Sequence, residues 1–149
     1  MANFAKEANK AARELNTTTN EYAKASLIFF QQGLAMADVE KRTEITIKMA
    51  NVTGEAVSDV SSYMTAIWNN FDDGTRVLSE YADIITALGA ATASSSEEIA
   101  GGLEKFAAIA DTVGLSYEYA TAALATVVSA TRQSEDTIGT SFKTIFGRM

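Results

Sequence analysis

At 149 residues the chain is long enough to bury a core, and it is expected to form one domain or two subdomains. It contains neither cysteine nor histidine, which excludes disulfides, thiol nucleophiles and thiolate metal sites and removes the commonest catalytic base and metal ligand. The net charge is −7, and between Thr53 and Glu118 eleven acids face only Arg76 and Lys105, an imbalance that argues against binding a nucleic acid backbone.

Proline is absent and alanine is abundant, so helix interiors run without a breaker. Ala2 to Leu15 reads as a helix with a thin apolar face of Phe4, Ala8, Ala11 and Leu15, ended by Asn16-Thr17-Thr18-Thr19. A second helix is predicted from about Asn20 to Gln32. Its Leu27-Ile28-Phe29-Phe30 cluster is apolar all round, which predicts burial on more than one side. Gly33-Leu34 ends it. Between Met36 and Val52 the signal is mixed, because Ile45-Thr46-Ile47-Lys48-Met49 alternates as a strand does. A lone strand among helices would leave its edge groups unpaired, so a helix is expected.

Asn51-Val52-Thr53-Gly54 is expected to break the chain, with Thr53 capping the next helix. Val57, Val60, Met64, Ile67 and Phe71 recur at helical spacing along it, flanked by Trp68. Asp72-Asp73-Gly74-Thr75 reads as a turn with a cap at its end, followed by a helix whose face is Leu78, Tyr81, Ile85 and Leu88. Tyr63, Trp68, Phe71 and Tyr81 bracket that turn and are expected to staple two antiparallel helices. Thr92 to Ser96 reads as a joint, and Ser95 and Glu98 have the spacing of a capping box. Ile99, Leu103, Phe106, Ala110 and Val113 then form a buried stripe. Gly114 suits the left-handed position after a helix, and Ser116 suits the cap of the next. Ala120, Leu124, Val127 and Thr131 continue the apolar pattern. Ser134 is expected to cap a last helix with Ile138, Phe142 and Ile145 on its inner face.

The expected fold is all-α, with six to eight amphipathic helices. Residues 1–19 form a lead-in helix, 20–91 a first helical subdomain and 92–149 a second. Sliding the chain by 81 positions aligns Gly33-Leu34 with Gly114-Leu115, and both copies read helix, Gly-Leu, helix, hydroxyl cap, helix. This points to a degenerate tandem repeat of helical units.

No residue pattern carries chemistry, and the expected catalytic, cofactor-binding and metal sites are none. Asp72-Asp73 and Glu97-Glu98 read as turn and helix-start charges, because a working acid–base pair needs two environments and a cleft. A serine hydrolase without histidine would need a Ser–Lys dyad, and neither Lys105 nor Lys143 sits in a nucleophile motif. Gly101-Gly102 belongs to a helix and reads as a point of close helix packing, not as a phosphate loop. The chain is therefore expected not to be an enzyme and to need no cofactor. Met1 to Thr19 lacks the apolar core of a signal peptide. The longest uncharged runs, Ile84–Ser96 and Tyr119–Thr131, fall short of the roughly 18 residues of a spanning helix, so no transmembrane segment is expected.

Several phrases carry a family likeness. They are Ile47-Lys48-Met49-Ala50-Asn51-Val52-Thr53-Gly54, Thr65-Ala66-Ile67-Trp68-Asn69-Asn70-Phe71, Ala82-Asp83-Ile84 through Ala90 and Ser96 into Glu97-Glu98-Ile99-Ala100, and Thr126 to Ser134. Phe106-Ala107-Ala108-Ile109-Ala110, Val113-Gly114-Leu115-Ser116, and Ile138-Gly139-Thr140-Ser141-Phe142-Lys143-Thr144-Ile145-Phe146-Gly147-Arg148 complete the set. Over roughly Tyr22 to Met149 the chain resembles tape-measure proteins of long-tailed bacteriophages and prophages. Ala35, where the second copy has Ser116, departs from the pattern and removes a cap.

The resemblance implies a virion structural segment that scaffolds tail-tube assembly, sets tail length and takes part in genome ejection. Its implied partners are the tail-tube protein, tail assembly chaperones and baseplate or initiator proteins, with self-association inside the tube. Its implied place is the tube lumen of the virion tail, reached from the host cytoplasm during assembly. The alternative reading is a helical-repeat adaptor that holds a partner helix in a groove.

Overall fold

The computed structural model describes residues 2–149 as eight helices, with no strand among the described residues. They are α1 (Ala2–Glu14), α2 (Thr19–Gln31), α3 (Met36–Thr53), α4 (Val57–Phe71), α5 (Leu78–Ala91), α6 (Ser96–Thr112), α7 (Tyr117–Thr131) and α8 (Glu135–Gly147). The all-α expectation holds, including the stretch that alternates like a strand. Residues 45–49 lie within α3, where Thr43, Thr46, Ile47 and Ala50 face inward while Glu44 and Lys48 pair outside at 2.6 Å.

Side-chain capping sets four of the helix starts. Thr18 and Glu21 exchange hydrogen bonds as a capping box at α2, and Ser95 and Glu98 do the same at α6, which satisfies donors the first turn leaves open. Ser116 accepts from the Tyr119 N–H, and Ser134 from the Thr137 N–H. Two expected caps are not made. Thr53 is the last residue of α3, and its hydroxyl donates back to the Met49 carbonyl at 2.9 Å. Thr75 turns its hydroxyl to Asp73, 2.6 Å away, and α5 starts behind Val77 without a side-chain cap. Thr53 lies inside α3 and Thr75 stands two residues before the N-cap Val77, so neither occupies the position from which a hydroxyl accepts a first-turn N–H.

The chain divides into two compact units, one ending at Ser61 and the other spanning Ser62–Met149. In the first, Ala8, Ala12 and Leu15 of the α1 segment pack with Tyr22, Ala25 and Ile47, and Phe4, Ala11 and Val57 lie against them. Asn51 donates to the Leu15 carbonyl at 2.7 Å, fastening the end of the α1 segment to α3. The α2 cluster is buried on one side only. Phe29 is fully enclosed while Leu27 is 54 % exposed, on the side that neither α1 nor α3 covers.

In the second unit α6 is central and packs on α5, α7 and α8. Its stripe of Ile99, Leu103, Phe106 and Ala110 is buried, with Val113 left at the surface. Trp68 donates through its indole N–H to the Leu78 carbonyl, and the Tyr81 hydroxyl donates to the Phe71 carbonyl, so the aromatics do staple α4 to α5. The α7 stripe turns inward at Val128, four residues after Leu124, and not at Val127 and Thr131. In α8 the inner face passes from Ile138 and Phe142 to Phe146, which stacks on Phe106, while Ile145 is 55 % exposed. Residues 92–96, read from the sequence as a joint, lie inside this unit. Ser94 is buried and hydrogen-bonds the Ala125 carbonyl and the Ser129 hydroxyl, each at 2.8 Å, while the Arg132 guanidinium donates to the Ala93 carbonyl.

Gly114 closes α6 as the sequence predicts. Its φ is +75°, its N–H donates to the Asp111 carbonyl at 3.0 Å, and the Leu115 N–H donates to the Ala110 carbonyl at 2.9 Å. Gly33, 81 positions earlier, has φ +77° and donates to Phe30 at 3.0 Å. The turn recurs, but the packing around it differs. The closest helix pair of the first unit is α2 with α3, whereas in the second it is α6 with α8. A side chain at Gly114 meets open space, so its cost is the left-handed backbone alone. Gly114→Val is expected to lower stability by about 1–2 kcal/mol, read as a lower melting temperature by circular dichroism. An unchanged melting point would refute the turn's role.

Candidate functional site

The buried polar side chains among the described residues are hydroxyls, and three of the six serve the helices that carry them. Ser26, Ser61 and Thr121 donate to carbonyls four residues back, at 2.7–2.9 Å. Thr43 bonds Ser26 across α2 and α3 at 3.4 Å. Among the described residues no group of three or more acidic side chains is arranged to hold a metal ion. Three surface features stand out among the described residues.

The first is a cleft of about 490 Å³ beside the Gly114 turn, bordered by Asp72, Asp73, Arg76, Tyr81, Asp111 and Tyr117. Arg76 organises it. Its guanidinium pairs with Glu118 and lies 5.4 Å from the centre of the Tyr81 ring and 6.0 Å from that of Tyr117. The two rings meet edge to face at 5.0 Å, and the Tyr117 hydroxyl donates to the Tyr81 carbonyl at 2.7 Å. Burial drives the Tyr117 phenol far above its usual ionisation, so it serves as a donor and not as a base. The paired carboxylates of the sequence are spent on the turn. Asp72 accepts from the Gly74 N–H, and Asp73 accepts from both the N–H and the hydroxyl of Thr75. The Thr75 hydroxyl, and after it the Thr75 N–H, hold Asp73 below the usual carboxylate range.

Glu118 is held below that range as well, first by its own backbone N–H at the start of α7 and then by Arg76. A carboxylate with a depressed folded-state value adds stability above its unfolded value, and that stability is lost as the pH falls through the folded value. Glu118→Gln should therefore destabilise the protein at neutral pH and cost progressively less in acid. Urea titrations of both forms across that range measure the difference, and a pH-independent gap would show that Glu118 does not act through its charge.

The second feature is a cleft of about 530 Å³ in the first unit, where Glu7 and Glu14 of α1 meet Glu40 and Glu44 of α3 over Tyr22. Lys48 sits on Glu44 at 2.6 Å and Lys10 lies 3.8 Å from Glu14. Burial raises the Tyr22 phenol, with Glu40 and Glu44 adding to it. The charge count placed the acidity between residues 53 and 118 and did not foresee this group. The seven-residue spacing of Glu7 and Glu14 and the four-residue spacing of Glu40 and Glu44 were the available signals.

The third is an apolar groove of about 470 Å³ between α7 and α8, walled by Tyr119, Val127, Phe142 and Phe146 and floored by Ala122 and Ala123. Tyr119 is 59 % exposed at its edge. Of the two lysines weighed for a dyad, Lys105 is held by Asp136 at 3.2 Å and raised by it, the opposite of what a neutral amine base needs. Gly101 and Gly102 sit in α6 against Glu135 of α8 and Leu124 of α7, which is the close packing the sequence predicts.

The family model of the phage-related minor tail proteins matches residues 6–149. The chain belongs to that family. No curated protein and no solved structure matches it. As a phage-related minor tail protein it is a structural component of the virion tail and works in association with other tail components. Among its described residues no helix is long and apolar enough to cross a membrane.

Proposed function

We propose that this chain is a folded, non-enzymatic module of a tail tape-measure protein. In this reading the parent protein scaffolds polymerisation of the tail tube, sets tail length and takes part in genome ejection. Its partners are the tube protein, the assembly chaperones and the baseplate or initiator proteins. It occupies the tube lumen of the finished tail after assembly in the host cytoplasm. Membership of the minor tail protein family and the phrase-by-phrase likeness to tape-measure sequences support the reading.

The observation that carries the word "module" is the turn at Gly114. A ruler gains length at about 1.5 Å per residue only while its helix continues. Here α6 ends after 17 residues and α7 begins within five, on a left-handed glycine with both closing hydrogen bonds made. The chain reverses where a rod would continue. This segment contributes a folded body to the tape measure, and its parent supplies the length elsewhere.

An in-frame deletion of the codons for residues 2–149 in the phage or prophage tests the proposal by negative-stain electron microscopy of the resulting tails. Loss of tails, or tails of altered length, is expected. Normal tails in normal number, with the chain missing from purified wild-type virions, would overturn it in favour of the adaptor reading.

A further inference from the structure

We draw no further inference here: the strongest candidate, the apolar groove between α7 and α8 walled by Tyr119, Val127, Phe142 and Phe146, carries no charged side chain and adjoins no second element of recognisable chemistry, so nothing in the structure shows what covers it.

Discussion

Gly139→Ala should destabilise the second unit by about 2–3 kcal/mol, as expected for overpacking a closed site. The sign is informative, because the same exchange in an open helix stabilises by roughly 1 kcal/mol through helix propensity. At Gly139 a new methyl would lie 2.6 Å from the Gly102 carbonyl oxygen and 2.9 Å from Lys105 Cβ. The first of these is backbone and cannot swing aside, so α6 and α8 must separate. These two helices form the most closely packed pair in the unit, and the strain would spread along both. Thermal unfolding followed by circular dichroism reads the effect, at roughly 4–8 °C per kcal/mol for a unit of this size. Gly147→Ala, at the end of the same helix but with no neighbour within 4 Å, is the control and should range from neutral to stabilising by about 1 kcal/mol. A Gly139→Ala variant as stable as the parent would mean that the two helices are not locked together.

Phe106→Ala is expected to cost about 3–5 kcal/mol, the range for truncating a large buried ring. Phe106 is almost wholly enclosed. It meets Phe142 edge to face at 5.3 Å and stacks on Phe146 at 6.1 Å, while those two rings touch each other at 5.8 Å. Truncation therefore removes the transfer energy of one ring and two aromatic contacts, and leaves a cavity under α8. Phe142 and Phe146 are only half-buried, so their alanine variants should each cost less. Urea denaturation of the three single variants and of Phe106→Ala/Phe146→Ala measures the coupling. Strict additivity of that pair would show that the rings do not act as a cluster.

The ordering of helices was readable because caps and glycines are local. Ser95 with Glu98, Ser116 and Ser134 each act within three residues, so their spacing alone specifies the bond. Thr53 and Thr75 miss as caps because the helix boundaries fall elsewhere: Thr53 still belongs to α3, and the N-cap of α5 is Val77, two residues beyond Thr75. Which face a helix buries was less legible. Ile145 and Phe146 differ by about 100° around α8, and helical periodicity admits either. Position decides between them, because Phe106 of α6 is where Phe146 points. The α2 cluster likewise gave no sign that its Leu27 side would stay open, because an all-round apolar helix does not say how many neighbours it has. The Arg76 clamp joins residues 42 apart in the chain, and the acidic cleft joins α1 to α3. No local pattern encodes such pairings. The likeness to tape-measure proteins rests on phrases along the chain and not on any of these sites.

The pairing of helices has a consequence for synthesis. Within the two units, the packed pairs are consecutive helices or helices one apart, as in α1 with α2, α2 with α3, α6 with α7 and α6 with α8. Little chain must therefore be closed into loops before a contact forms, and topologies of this kind fold in microseconds to milliseconds. A ribosome adds only about 5–20 residues per second. Each hairpin thus has time to dock as soon as its second helix has emerged, before the next one exists. A tail component made this way meets its assembly partners already folded.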